Sequence, residues 1–170
     1  MNIEIKEIND GDLEECAEVL RQGFSTVAKD FGLTMDNCPT NGAFIKTERL
    51  IADKDKGNDM FGLYSNHKLV GFMQLEQKSN GLFFLEKLAI LPDYRHNGYG
   101  KILLDFAKVK VREMKGTTIS ISIIEENTVL KNWYSSYGFI HTGTRKFEHL
   151  PFTVGFMELH VNNGQDMKDR

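Results

Sequence analysis

Cysteine is scarce in this sequence, positive charge is not in excess, and no long apolar run occurs. The two cysteines, Cys16 and Cys38, lack the paired spacing of a metal site. Two thiols make no disulfide framework, and nothing requires a bridge between them. They read as reduced thiols of a cytoplasmic protein, with Cys16 in the core. Against 24 Asp and Glu stand 21 Lys and Arg, a formal net charge of -3 that argues against a dedicated nucleic-acid binder. No segment approaches the ~20 apolar residues of a membrane span. The opening Met-Asn-Ile-Glu-Ile-Lys lacks the charged-then-apolar pattern of an export signal. Linkers, repeats and low-complexity tracts are missing too. What is present, 41% apolar and 26% charged residues, is ordinary for a soluble globular protein. The length fits one domain. We expect it over residues 1–161, with a polar, frayed tail over 162–170.

Alternating apolar and polar residues over 3–8 predict a first strand. Asp12 with Glu15 resembles a capping box. Leu13, Cys16, Ala17, Leu20, Phe24, Val27, Ala28 and Phe31 then recur at helical spacing, as one helix or a broken pair, up to Gly32. Residues 33–42, with Asn37, Pro39, Asn41 and Gly42, read as a loop. A second helix is expected at about 40–52, and the polar run 53–59 as a turn. From Met60 the period becomes two. Runs at 60–64 and 69–75 flank Ser65-Asn66-His67-Lys68 as a hairpin. After the turn Ser79-Asn80-Gly81, residues 82–91 form a third strand, apolar except at Glu86-Lys87. It is expected at the sheet centre, buried on both faces. A helix over 99–115 presents Leu103, Ala107, Val111 and Met114 inward. Lys108, Lys110, Arg112 and Lys115 at its far end suit the helix dipole as a solvated face. Gly116 stops it. A strand over 117–124 follows. A helix over 127–137 carries Val129, Leu130, Trp133, Tyr134 and Tyr137 at helical steps, with Gly138 as its cap. Strands over 139–147 and 152–161 flank a loop with Pro151. This order predicts a mixed α+β fold, a sheet with helices on its faces.

Residues 86–101 organise the chain. They read Glu-Lys-Leu-Ala-Ile-Leu-Pro-Asp-Tyr-Arg-His-Asn-Gly-Tyr-Gly-Lys. An apolar strand ends at Pro92, a turn carries Arg95, His96 and Asn97, and Gly98 and Gly100 open a helix with Lys101 in its first turn. The first N–H groups of a helix have no intrahelical partner and its dipole is positive there, so the stretch suits an anion. The glycines admit a ligand to the backbone, and Arg95 and Lys101 add charge. A phosphorylated ligand is expected. A P-loop would need Gly at position 95 and Ser or Thr at 102, where Arg and Ile stand. A dinucleotide fingerprint would need Gly at 103, which is Leu. The plain alternative is that the two glycines only make a tight turn.

This stretch resembles the acetyl-CoA motif of the GNAT superfamily of N-acetyltransferases. That motif, Gln/Arg-x-x-Gly-x-Gly/Ala, is met by Arg95-His96-Asn97-Gly98-Tyr99-Gly100. Its usual leader, an apolar strand and then Pro-x-Tyr-Arg, is met by Leu88-Ala89-Ile90-Leu91-Pro92-Asp93-Tyr94-Arg95. A second family segment is met by Asn127, Tyr134 and Gly138-Phe139. The element order matches over about residues 1–160, the first third only in outline. The resemblance implies a GNAT fold, a mostly antiparallel sheet of about seven strands with about four helices. It implies that the N–H groups from Arg95 through His96, Asn97, Gly98, Tyr99 and Gly100 to Lys101 wrap the CoA pyrophosphate. It implies that Leu88, Ala89 and Ile90 run beside the pantetheine arm, that a β-bulge here splays the strand and aims an N–H at the thioester carbonyl, and that Asn127 contacts the arm from the opposite side. A homodimer is common in that superfamily and oligomeric state stays open here; the five histidines give no metal pattern, and charge and hydropathy point to no nucleic acid and no membrane.

The family reaction is direct attack of an amine on acetyl-CoA. An alkylamine with a pKa near 10.4 costs about 4–5 kcal/mol to deprotonate at pH 7. Glu86 is the candidate base, the one acid in its strand and on one face with Phe84, Leu88 and Ile90. Glu76 is its rival, and the bland alternative is a rim carboxylate paired with Lys87 or another lysine. Tyr134, by family spacing, is the candidate acid for the departing thiolate. An unperturbed phenol is a weaker acid than a thiol by roughly 2 kcal/mol. Tyr134 therefore acts with a lowered pKa or by hydrogen bonding, unless, like Tyr137, it is only packed. His96 is a possible cofactor contact, His67 a solvated turn residue. His141 and His160 read as structural, and so does His149 unless it lines the acceptor site. Phe147, Phe152 and Phe156 read as core or dimer surface. Asp30, Asp36 and Glu48 either draw in a cationic amine or are simply solvated. The rival of another class is a non-catalytic CoA-binding module.

Overall fold

Among the described residues the elements run β1 (Ile3–Glu7), α1 (Leu13–Asp30), α2 (Thr47–Asp55), β2 (Asp59–Ser65), β3 (Lys68–Ser79), β4 (Leu82–Ile90), α3 (Tyr99–Glu113), β5 (Thr118–Ile124), α4 (Thr128–Tyr137), β6 (Ile140–Lys146) and β7 (Thr153–His160). This computed structural model describes residues 2–161, so the tail expected over 162–170 lies outside the described residues. The seven strands form one mixed sheet in the order β1-β2-β3-β4-β5-β7-β6. β4 and β5 are parallel, whereas β1 with β2, β2 with β3, β5 with β7 and β6 with β7 are antiparallel. The α+β class expected from the sequence is the one observed. The chain divides into two compact units, one reaching to Glu76 and resuming over Glu86–Leu103, the other holding Gln77–Leu85 and the residues from Leu104 on. Among the described residues no helix is long and apolar enough to cross a membrane.

In the first unit β1 pairs with β2 from Ile3↔Ser65 to Glu7↔Phe61, and β2 pairs with β3 from Asp59↔Leu75 to Ser65↔Lys68. Asn66 and His67 make the hairpin turn with φ of 50° and 71°. Two left-handed residues match the twist of the flanking strands. α1 is one unbroken helix that buries Leu13, Cys16, Ala17, Val19, Leu20, Gly23 and Ala28. Gly23 lets it lie close to the end of β4, because a Cβ there would stand 2.9 Å from that of Ala89.

Four local readings are corrected in this unit. Asp12 precedes α1 but makes no side-chain capping bond, since its ψ of 0° is not the extended conformation that aims a capping oxygen. The second helix starts later than residue 40. The Asn41 side chain accepts from the Ala43 N–H at 2.9 Å, capping a 3-10 turn, and Ile45 is extended, so α2 begins at Thr47. α2 then runs on to Asp55, so the turn expected over 53–59 shrinks to Lys56 and Gly57, and Asp53 is a buried helical residue. Residues 86–90 are not buried on both faces. Ala89 is buried, while Glu86, Lys87, Leu88 and Ile90 keep partial exposure. Apolar composition alone does not separate a covered face from a partly open one.

In the second unit β4 pairs with β5 through Leu82↔Thr118, Phe83↔Ile119 and Phe84↔Ser120, and β5 pairs with β7 from Thr118↔His160 to Ile124↔Val154. Leu104, Ala107 and Val111 of α3 are buried, whereas Met114, expected inward, is 37% exposed. The helix ends before it. Lys115 turns left-handed at φ 61°, and the Gly116 N–H donates to the Val111 carbonyl at 2.7 Å.

Replacing Gly23 with Val will lower stability by about 1–3 kcal/mol in urea denaturation. The helix propensity it gains is less than the cost of overpacking against Ala89.

Candidate functional site

The turn after β4 is built by local hydrogen bonds. The Leu91 N–H donates to the Val70 carbonyl at 2.8 Å, which keeps the strand in place to its last residue. Pro92 starts a 3-10 turn in which Tyr94 N–H donates to Leu91 at 2.9 Å and Arg95 N–H to Pro92 at 3.3 Å. The Asn97 side-chain amide ties the turn from outside, donating to the Tyr94 carbonyl at 3.0 Å and the Arg95 carbonyl at 3.2 Å. His96 and Gly98, at φ 65° and 79°, take left-handed backbone on either side of Asn97. α3 then begins, with Ile102 N–H closing onto the Gly98 carbonyl at 3.1 Å.

The face of this turn is open. His96, Asn97 and Gly98 are exposed, and a Cβ on Gly98 would meet nothing within 4 Å. Tyr99 is 5% exposed and anchors the helix start. An exposed helix N-terminus preceded by left-handed residues is a concavity of N–H groups suited to phosphate. Two details depart from the sequence reading. The Arg95 N–H already serves the turn. The Arg95 guanidinium is turned to α1, donating to the Gly23 carbonyl at 2.7 Å and to Thr26 Oγ1 at 3.0 Å. Its charge therefore fixes the turn against α1.

A second cluster lies at Glu86 and Lys87. The Lys87 Nζ stands 2.9 Å from Asp53 Oδ2 and 3.4 Å from Glu86 Oε2. The Gln74 side-chain amide donates to Asp53 Oδ2 at 3.2 Å and to Glu86 Oε2 at 3.3 Å. Arg49 contacts Asp53 Oδ1 at 3.2 Å from the preceding turn of α2. Lys87 has a φ of 56°, uncommon for a residue with a side chain. Burial pushes the Glu86 carboxyl above the usual carboxylate range, a hydrogen bond with Glu76 adds to this, and the Lys87 charge pulls the other way. Burial also opposes the charge on Asp53, but Lys87, Gln74 and Arg49 together outweigh it and hold that carboxyl low. Glu86 thus combines a raised carboxyl, the property of a base, with the lysine contact of the bland alternative.

Sequence reasoning missed Asp53 and Gln74. The available signals were an acid three residues after the buried Leu50 on one helix face, and the lone amide within the apolar run of β3. In the same unit Leu88 and Ile90 are half-buried and Ala89 is 7% exposed.

Asn127 and Tyr134 belong to the second unit. Asn127 caps α4, its side-chain oxygen accepting from the Leu130 N–H at 3.2 Å. Tyr134 is 6% exposed, edge-on to Trp133 and Phe139 at 4.9 and 5.2 Å between ring centres. Burial pushes its phenol up, which goes against a lowered pKa and leaves hydrogen bonding and plain packing as the two readings. Tyr137 donates to Asp105 Oδ1 at 2.5 Å. His141 lies 2.9 Å from Glu125, and His149 lies against Phe147.

Known proteins are similar to this chain. A family model described as Acetyltransferase (GNAT) domain matches residues 56–141. The uncharacterized N-acetyltransferase in the pepI 3′ region of Lactobacillus delbrueckii subsp. lactis is 28% identical over 167 residues, covering 90% of each chain. YlbP, an uncharacterized N-acetyltransferase of Bacillus subtilis strain 168, is 41% identical over 68 residues, 34% of this chain and 42% of its own length. The crystal structure of the PaiA N-acetyltransferase from Thermoplasma acidophilum, in complex with coenzyme A, superposes with a TM-score of 0.80 at 22% identity. It covers 94% of this chain and 99% of that one, and shows a shared fold.

Arg95→Ala removes two charge-assisted hydrogen bonds between the turn and α1. It will cost about 2–3 kcal/mol of stability in urea denaturation, and the exchange protection of the Asn97 and Gly98 amides will fall.

Proposed function

Because the chain belongs to the GNAT acetyltransferase family, we propose that it transfers the acetyl group of acetyl-CoA directly to a primary amine of a small molecule or peptide within a ternary complex. The observation that carries this reading is the open turn from His96 to Gly98 at the start of α3, in one compact unit with the half-buried Glu86 carboxylate of β4. The same reading takes residues 1–161 as one acetyltransferase domain, in keeping with a neighbour of that fold matched over 99% of its length.

The exposed backbone fits a pyrophosphate, since Gly98 leaves open space where a side chain would stand. Acetyl-CoA supplies an acetyl group already activated as a thioester. The amides from His96 to Lys101 hold its phosphates, the backbone of Leu88, Ala89 and Ile90 lies along its arm, and Asn127 reaches the arm as well. Glu86 takes the proton that the ammonium must lose, directly or through water. A carboxyl raised toward neutrality accepts that proton with less loss than an ordinary one. The amine nitrogen then bonds to the acetyl carbon while the carbon–sulfur bond breaks, and the nitrogen's second proton passes to the departing sulfur, directly or through water. Tyr134 keeps its proton and donates a hydrogen bond to the thiolate. This role needs no lowered pKa, which fits its burial.

Incubation with acetyl-CoA and a panel of polyamines, aminoglycosides, amino acids and peptides will release free CoA with at least one amine. A protein that binds CoA without turnover would be the non-catalytic module instead. With the best acceptor, Glu86→Gln will lower kcat/KM by about 10²–10⁴-fold and remove the acid limb of its pH profile. Tyr134→Phe will lower kcat about tenfold or more, in proportion to one lost hydrogen bond. An unchanged rate would refute the role given to Tyr134.

A further inference from the structure

We propose that Asp53, reaching from α2, is a positioning residue for acetyl transfer: it draws the Lys87 ammonium toward itself, so that Glu86 shares the cation only in part and stays available as the base. The inference rests on the reading of Glu86 as base, and it assigns a role to a side chain in the part of the chain where the sequence motifs are silent.

The geometry is specific. Lys87 lies between two carboxylates and stands nearer to Asp53, at 2.9 Å, than to Glu86, at 3.4 Å. The Asp53 side chain is 3% exposed and that of Lys87 16%, against 29% for Glu86, so the inner carboxylate claims the cation. Arg49 takes the other Asp53 oxygen, and Gln74, fully buried, bridges Asp53 Oδ2 and Glu86 Oε2 with one amide nitrogen. Among the described residues the buried Gln74 carbonyl oxygen has no hydrogen-bond partner. Orienting the amide toward the two acids thus costs an unsatisfied acceptor, which marks a specific arrangement. Lys87 also takes left-handed backbone, at φ 56°, beside Glu86. A buried ion pair is by itself weak evidence for stability, because desolvation offsets the attraction. Its position next to a catalytic carboxylate gives it a second use.

The charged groups around Glu86 are Lys87 on β4, Glu76 on β3, and Asp53 with Arg49 on α2. Removing the Asp53 charge withdraws a negative neighbour from Glu86 and releases Lys87 to it. Both changes favour the carboxylate, so Glu86 would titrate at lower pH. Removing the Lys87 charge does the opposite. Loss of packing or stability alone predicts no such opposition.

The test measures the acid limb of kcat/KM, and in parallel the titration of the Glu86 carboxyl by ¹³C NMR, which needs no turnover. Asp53→Asn will move both midpoints down by about one pH unit, and Lys87→Met will move both up by about one unit, the size expected of a charge this near. The double variant D53N/K87M will return toward the original midpoint. If D53N does not fold, K87M and the double variant carry the test. An NMR midpoint that stays put or rises in D53N, or stays put or falls in K87M, overturns the inference. If E86Q abolishes the acid limb while D53N and K87M leave it in place, the inference falls alone. If E86Q leaves the limb unchanged, Glu86 is not the base and both fall.

Discussion

A cation placed in a sheet strand has to be compensated, and in this protein the compensation comes from α2. Lys87 interrupts β4 with a left-handed backbone and a charge, and Asp53 answers the charge by ion pairing at 2.9 Å from a nearly sealed position. Without Asp53, Lys87 would be left with Glu86 and partial exposure. With it, Glu86 keeps one contact to Lys87, one to Gln74 and a carboxyl that burial raises. The chemistry proposed for Glu86 depends on how one positive charge is divided between two acids.

The turn after β4 obeys a parallel constraint. Exposed backbone amides attract an anion only if they are held in one conformation. Arg95 does this by spending its guanidinium on α1, and Asn97 by bonding the two carbonyls before it. Gly23 makes the first possible, since only a residue without a side chain brings the α1 backbone this close to the end of β4. The charge most easily counted from sequence as a phosphate contact is thus a structural clamp. The phosphate grip proposed here rests on N–H groups that no side-chain inventory displays.

Much of the fold was legible because it is local. Alternation set β1, β2 and β3, and Gly32, Gly81 and Gly138 punctuate the chain where left-handed turns occur. The polar segments misled. Residues 40–52 looked like a helix because their composition permits one, yet the Asn41 cap and the extended Ile45 divided it. Asp53 looked like turn material because an acid is seldom buried, and its partners, Lys87 and Gln74, lie 34 and 21 residues away.

The sequence by itself determined the strand–turn–helix stretch from Leu88 to Lys101 and the class of fold around it, because spacing, glycine placement and hydrophobic period act over a few residues. Only the tertiary structure decided how the charges are used: that Arg95 faces α1, that Lys87 is shared unequally between Asp53 and Glu86, and that burial raises the Tyr134 phenol where a lowered one was an open expectation. Those outcomes depend on desolvation and on partners brought together from distant positions. Neither exists until the chain has folded.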